Sequence, residues 1–483
     1  MKHSPFKFVF TISFLAVLLF CSCETAFDEP EQSAGSADFS RYVALGNSLT
    51  AGYADGALYY EGQKNAYPAI LAKQFNKLGG AAVFNTPFLT GINADNGVSP
   101  APWLGLFATT SKYVLANVTG CDGVASIAPV QVAPPVTTNS EFYTPIFNGT
   151  YYQNMGIPGA KSFDLLRHDL GVFGNTVNPY YLRIASDINP GGTSTVVSDA
   201  LYSNPTFFTL WIGNNDVLGY ALSGGSGVVG GYNANDITAE AVFDTALINI
   251  VKAITANGAK GIIGNIPDIV SIPHFTTIGF NSLYLTDANQ VAALNSNYAI
   301  YNHNADSLGL PRIEFQLGYN TYVIEDPSLA AIGGIRKIKQ GEYMLLVTPQ
   351  DSIKCYDAVS NTGGWGYVKP IPKHYVLDAT EVNNIRTYTT KYNAWIKKMA
   401  DDYNLGLADF NTFFKSFATG LKFNGVTYTP EFVKGGAFSL DGVHPNQRGY
   451  ALIANYYIEV INKKYGSSIS KVDVNSYNGI TFP

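Results

Sequence analysis

The chain has 483 residues, 46% of them hydrophobic and only 14% charged, with a net charge of −6. That is enough apolar material for one large domain or two modest ones. So low and mildly acidic a charge excludes the basic footprint of a nucleic-acid binder.

At the N-terminus, Lys2 and Lys7 precede an apolar run from Phe8 to Phe20, interrupted only by Thr11 and Ser13. The run is shorter than the roughly 20 residues of a membrane span and fits an export signal over residues 1–22. It ends at Phe20-Cys21-Ser22-Cys23-Glu24, which resembles a bacterial lipobox. A small residue before the cysteine suits lipidation, so Cys23 is the expected site and not Cys21; a plain secretory signal is the alternative. Glu24, Asp28, Glu29 and Glu31 follow in an acidic tether, residues 23–38. Acidic residues there resemble the surface-export signals of Bacteroidetes lipoproteins. The expected setting is an exported bacterial lipoprotein anchored by its lipid in the outer membrane, facing the periplasm or the surface. Export also permits a disulfide between Cys121 and Cys355. Pairing depends on geometry that sequence does not carry, and both outcomes stay open. Neither cysteine belongs to a metal-ligand cluster, and no cofactor or metal is expected.

Beyond the tether, short apolar runs alternate with longer helical periods. Tyr42–Leu45 reads as a buried strand running into a turn at Ser48. Residues 85–150 are rich in Pro, Thr, Asn and aromatics with little helical period, and read as an insertion. Pro205–Ile212 is a second strand, and the glycine-rich stretch Ser223–Gly231 after it reads as a flexible loop. It is no phosphate loop, since no Lys-Ser/Thr follows. Asp236–Asn257 is helical, with Asn257-Gly258 as its stop, and Lys260–Asn265 is a strand. Residues 326–372, with turns at Gly333-Gly334 and Gly363-Gly364, form a second insertion. Such long loops are commonly functional, and their aromatics suit the walls of a cleft, with plain decoration the alternative. Asp378-Ala-Thr-Glu381 is a capping box that opens a helix; Leu405–Phe410 is a strand, and the last helix runs from about Gln447 to Lys464. This alternation predicts a mostly parallel sheet flanked by helices over residues 39–470, with a tail at 471–483.

Four short motifs carry chemistry. Gly46-Asn47-Ser48-Leu49 follows the first strand, and Asn154-Met155-Gly156-Ile157-Pro158-Gly159 comes after the first insertion. Gly213-Asn214-Asn215-Asp216 follows the second strand, and Asp441-Gly-Val-His444-Pro445 precedes the last helix. A carboxylate three positions before a histidine can orient its imidazole, and a serine hydroxyl needs such a base to become a nucleophile. Together and in this order, the four resemble the blocks of the SGNH (GDSL-type) hydrolase family, with Asn47 standing where the family usually has aspartate.

The resemblance implies a three-layer α/β/α sandwich related to flavodoxin, with long insertions. It implies Ser48 as nucleophile, His444 as general base and acid, and Asp441 as the carboxylate that fixes the imidazole tautomer. It implies an oxyanion hole from the backbone N–H groups of Ser48 and Gly159 and the side-chain amide of Asn215. His168, His274, His303 and His374 lack a comparable neighbourhood. Asn47 keeps an acceptor for the local turn, adds a donor and loses a charge, which predicts altered loop stability or pH response and not inactivity. The expected function is serine-dependent hydrolysis of a carboxylic ester, the substrate an acyl lipid or an acylated glycan. The apolar run Pro102–Phe107 leans towards lipid; a carbohydrate O-deacetylase is close behind. The other class is a non-catalytic glycan- or lipid-binding lipoprotein.

Overall fold

The computed structural model describes residues 32–174 and 177–483. The signal segment, Cys21, Cys23 and the acidic residues up to Glu31 lie outside the described residues. From Ser33 on, the segment expected to be tether is docked. The Ser36 N–H donates to the carbonyl of Tyr465 at 2.9 Å, and Ala37 belongs to the main core.

The architecture is α/β around a five-stranded sheet. Its strands are β1 (Tyr42–Gly46), β2 (Asn154–Gly156), β3 (Phe207–Trp211), β4 (Lys260–Gly264) and β5 (Gly406–Ala408). All pair in parallel in the order β5-β4-β3-β1-β2, with Leu45 level with Met155 on one side and Leu210 on the other. β1, β2 and β3 are buried at every residue, which is why β1 and β3 read as largely apolar runs and not as alternation. In such a sheet the chain reverses its strand order beside β1, and the crevice outside the carboxyl ends of the strands there is where ligands bind.

The helices that matter for the site are α1 (Ser48–Ala51), α2 (Tyr67–Lys77), α3 (Asn215–Leu222), α4 (Glu240–Thr255), α5 (Ala379–Asp402) and α6 (Gln447–Tyr465). Helices α2 and α6 pack on each other, as do α4 and α5. Residues two apart on a strand share a face, so Phe207 and Trp211 point the same way. Phe207 meets Phe75 of α2 and Tyr465 of α6, and Trp211 stacks on Phe410 at 3.9 Å. Between α4 and α5, Phe243 stacks on Tyr392 at 4.0 Å. The predicted capping box is present at Asp378, whose side chain accepts from Glu381 N while Glu381 accepts from Asp378 N.

Two regions lie outside this plan. One is a hairpin, Tyr113–Thr119 with Ala125–Gln131, inside the stretch 85–150. The other is a second hydrophobic cluster between β4 and α5, drawn from Leu283 through Val376 and so beginning upstream of residue 326. A disulfide between Cys121 and Cys355 joins the hairpin tip to this cluster, their Cα atoms 6.2 Å apart. The glycine-rich stretch after α3 is no free loop: the Asp236 carboxylate gathers the N–H groups of Val228, Tyr232 and Asn233. The tail is docked too, with Val472 exchanging two hydrogen bonds with Asn455 of α6. Among the described residues, no helix is long and apolar enough to cross a membrane.

Candidate active site

Ser48 opens α1 directly after β1. Asn47 caps the helix, its side-chain carbonyl accepting the Leu49 N–H at 3.1 Å. The serine therefore stands at the first helical position, where its own N–H has no carbonyl within the helix to bond. β2 can lie hard against this turn only because residue 156 is glycine: a Cβ there would come within 2.2 Å of the Ala51 nitrogen.

The sheet brings Ser48 to the loop before α6. Ser48 Oγ lies 2.9 Å from His444 Nε2, and His444 Nδ1 lies 2.9 Å from Asp441 Oδ2. Asp441 Oδ1 accepts the N–H groups of Val443 and His444, both at 2.8 Å, and the Ser439 hydroxyl at 3.0 Å. Oδ2 also accepts the Gly56 N–H at 2.9 Å. Burial alone would raise the pKa of this carboxyl, but the charge and hydrogen bond of His444, with the backbone donors, outweigh it. The net effect holds Asp441 well below the usual carboxylate range. A carboxylate kept ionised there makes Nδ1 the protonated nitrogen and leaves Nε2 to accept from the Ser48 hydroxyl. Tyr53 packs its ring 4.7 Å from that of His444 and bonds through its hydroxyl to Gly56 and Ser99.

The oxyanion candidates follow the other two strand ends. Gly159 lies just past β2 with φ +80°, a region that favours glycine. An added Cβ would meet only Asn178 Nδ2, at 3.9 Å, so the backbone conformation demands glycine here, and crowding by neighbouring atoms does not. The Pro158 carbonyl accepts from Asn178 Nδ2 at 2.9 Å. In a trans peptide the N–H points away from the C=O, which aims the Gly159 N–H away from Asn178. Asn215 opens α3 after β3, and its Nδ2 donates one hydrogen to the Ala160 carbonyl at 2.8 Å. Asp216, fully buried, accepts the N–H and hydroxyl of Ser162 at 2.9 and 2.8 Å. The Gly159–Ser162 turn is thereby locked to the start of α3.

Ser48, Gly159, Asn215, Asp441 and His444 all line one cavity of about 780 Å³. Pro100, Leu170, Leu218, Leu222 and Val347 give it an apolar wall, with Arg167 and Tyr232 also facing it. Among the described residues, no group of three or more His, Cys, Asp or Glu is gathered as a metal ion would need. Sequence reasoning missed Ser439 and Gly56 as donors to Asp441. The Asp55-Gly56 pair is a turn signal, but nothing in a linear reading brings it to a residue 385 positions away.

No curated protein and no solved structure matches the chain. Residues 329–457 match the family model described as GDSL-like Lipase/Acylhydrolase. The match takes in α5, β5, Asp441, His444 and the first part of α6, and it stops short of Ser48, Gly159 and Asn215. Over that part of its length the chain is similar to GDSL-like lipases and acylhydrolases, which supports a hydrolase of ester bonds.

Proposed function

We propose that the protein is a serine-dependent carboxylic ester hydrolase that works through an acyl-enzyme. One observation carries the reading: an unbroken relay from Asp441 through His444 to Ser48 Oγ, each link 2.9 Å, opening on the cavity that Gly159 and Asn215 also line. Ser48 Oγ attacks the ester carbonyl as its proton passes to His444 Nε2. Negative charge develops on the carbonyl oxygen, where the N–H groups of Ser48 and Gly159 and the Asn215 amide supply donors. Collapse expels the alcohol, which leaves with the proton from Nε2. A water then gives its proton to Nε2 and attacks the acyl-serine, and a second collapse frees the acid and restores Ser48.

The apolar wall of the cavity favours an acyl lipid, as does the exposed pair Trp103 and Leu106 a few residues beyond Pro100. Exposed Tyr232 on the same cavity favours the second reading, a carbohydrate O-deacetylase, because an aromatic face can stack on a sugar ring. We further read the fold as a three-layer α/β/α sandwich carrying insertions, and the protein as an outer-membrane lipoprotein anchored at Cys23.

Hydrolysis of p-nitrophenyl esters from acetate to palmitate tests the activity. Ser48→Ala and His444→Ala should each lower kcat by about 10⁴-fold or more while melting like the wild type. Turnover that rises with chain length marks a lipid substrate, and turnover confined to acetate marks a deacetylase. Full activity in either variant sinks the assignment. If no ester is turned over and a serine-directed fluorophosphonate leaves Ser48 unlabelled, the protein is a binder.

A further inference from the structure

The two halves of the relay sit on segments 396 positions apart, Ser48 on a turn fixed by the sheet and His444 on a loop outside it. Something must hold one against the other, and Asp55 is bonded to do so. It lies in the turn after α1 with φ +54°, a region L-residues rarely enter and Asp and Asn tolerate best. Its Oδ1 accepts the Leu440 N–H at 2.9 Å, and its Oδ2 accepts the Tyr59 hydroxyl at 2.8 Å. Its own N–H donates to Ser439 Oγ at 2.9 Å, and its carbonyl accepts the Tyr113 N–H at 2.7 Å. Ser439 Oγ hands the contact on, donating to Asp441 Oδ1 at 3.0 Å, while the next residue, Gly56, donates to Asp441 Oδ2. Thus the residue's backbone and carboxylate grip the catalytic loop at two successive positions, just before its acid. The far side of the carboxylate is braced by Tyr59, whose ring lies under the Lys112 ammonium at 4.4 Å.

We propose that Asp55 is a positioning residue: it sets the register between the Ser48 turn and the Asp441–His444 loop and so keeps Nε2 within reach of Ser48 Oγ. The proposal rests on the serine-hydrolase reading. Asparagine offers the same acceptor to Leu440 and tolerates the same backbone, whereas alanine offers neither. Displacing a catalytic group by about 1 Å can cost about 100-fold in rate.

The test is p-nitrophenyl ester turnover by wild type, Asp55→Ala, Asp55→Asn and Ser48→Ala, each read well below its melting temperature. Asp55→Ala should lose about 10- to 100-fold in kcat with KM nearly unchanged, and Asp55→Asn should recover most of it with an unshifted acid limb of kcat/KM. Unchanged kcat in Asp55→Ala, with Ser48→Ala inactive, overturns the positioning role and leaves the triad standing. Asp55→Asn as slow as Asp55→Ala, with a displaced acid limb, overturns it in favour of a purely electrostatic role. Full turnover by Ser48→Ala overturns the triad and this proposal together.

Discussion

The sheet core and the second cluster, Leu283 to Val376, hold together by different means. In the core, five parallel strands are paired in a single register, and their carboxyl ends deliver Ser48, Gly159 and Asn215 to one place. In the cluster, antiparallel pairs are only two or three residues long, as between Val323–Glu325 and Ile335–Lys337. Ladders that short are weak alone, and the cluster leans on other bonds. Arg336 bridges Asp326 at 2.5 Å and the buried Glu342 at 2.7 Å, and the Cys121–Cys355 disulfide ties the cluster to the hairpin. To the cavity this part of the chain brings Val347, and none of the five candidate catalytic and oxyanion residues. The placing of Ser48, Gly159 and Asn215 therefore depends on the register of the core, while the cluster only borders the cavity.

The sharpest way to separate the two is to remove a donor that belongs to the core alone. Asn215→Ala should lose about 10²–10³-fold in kcat, or about 2.7–4 kcal/mol of transition-state stabilisation. Among the described residues its half-buried amide bonds the Ala160 carbonyl alone, so its unfolding midpoint should stay close to wild type. A large fall in stability with little loss of rate would make Asn215 a bracket and not an oxyanion donor.

The converse experiment strikes the cluster. The disulfide spans 234 positions, and a closure of that length restricts the unfolded chain strongly; its loss typically costs about 2–4 kcal/mol. Replacing both cysteines by serine should lower stability in urea by that order and leave kcat close to wild type. A rate that fell with stability would mean that the cluster holds the site and does not merely border it.

His274 lies where the two regions meet. Its N–H donates to the Gly442 carbonyl in the loop of Asp441 and His444, and its carbonyl accepts the Leu346 N–H at the cluster's edge. The residue is 5% exposed. Burial lowers its pKa from 6.5 to about 4, against the pull of Asp441. The unfolded chain takes up a proton there below about pH 6.5 and the folded chain only near 4. Its contribution is full above the higher value and is lost as the pH falls through this window, by about 2 kcal/mol between pH 7 and 5. Asp216, pushed up to about 6 by burial, contributes with the opposite sign, so the difference between wild type and His274→Phe is the quantity to read. Urea midpoints at the two pH values should show the variant losing less on acidification. An identical pH dependence in both would show that the ring titrates normally in the fold.

How much of this was legible beforehand follows the same division. The strands β1, β3 and β4, the helix α4 and the capping box at Asp378 were readable because each is declared by consecutive residues. So were the five candidate site residues, since each lies in a short motif at a strand or helix end. What stayed hidden is what the chain closes at long range: Gly56 and Asp55 reaching the loop of Asp441, and the pairing of Cys121 with Cys355. The upstream start of the second cluster was hidden for another reason, because strands of two or three residues have no period to detect. The docking of Ser33–Ala37 and of the C-terminal tail is not legible because single residues such as Ala37 and Val474 and scattered backbone groups carry it, with no period to mark it.

The smallest effect concerns the one departure from the resembled motif. Asn47 is 1% exposed; its carbonyl caps α1, while its Nδ2 is buried with no hydrogen-bond partner among the described residues. The side chain thus does one thing that aspartate would do and carries a donor that aspartate would lack. Asn47→Ala removes the cap and should cost about 1 kcal/mol, with a modest fall in kcat because Ser48 is the next residue. Asn47→Asp keeps the acceptor, adds a negative charge at a helix start, where the dipole favours it, and removes the orphan donor. Its denaturation midpoint should lie above that of Asn47→Ala at pH 7. A midpoint below it would mean that burying the charge outweighs the cap, and that the asparagine is what lets this turn stay buried beneath Ser48.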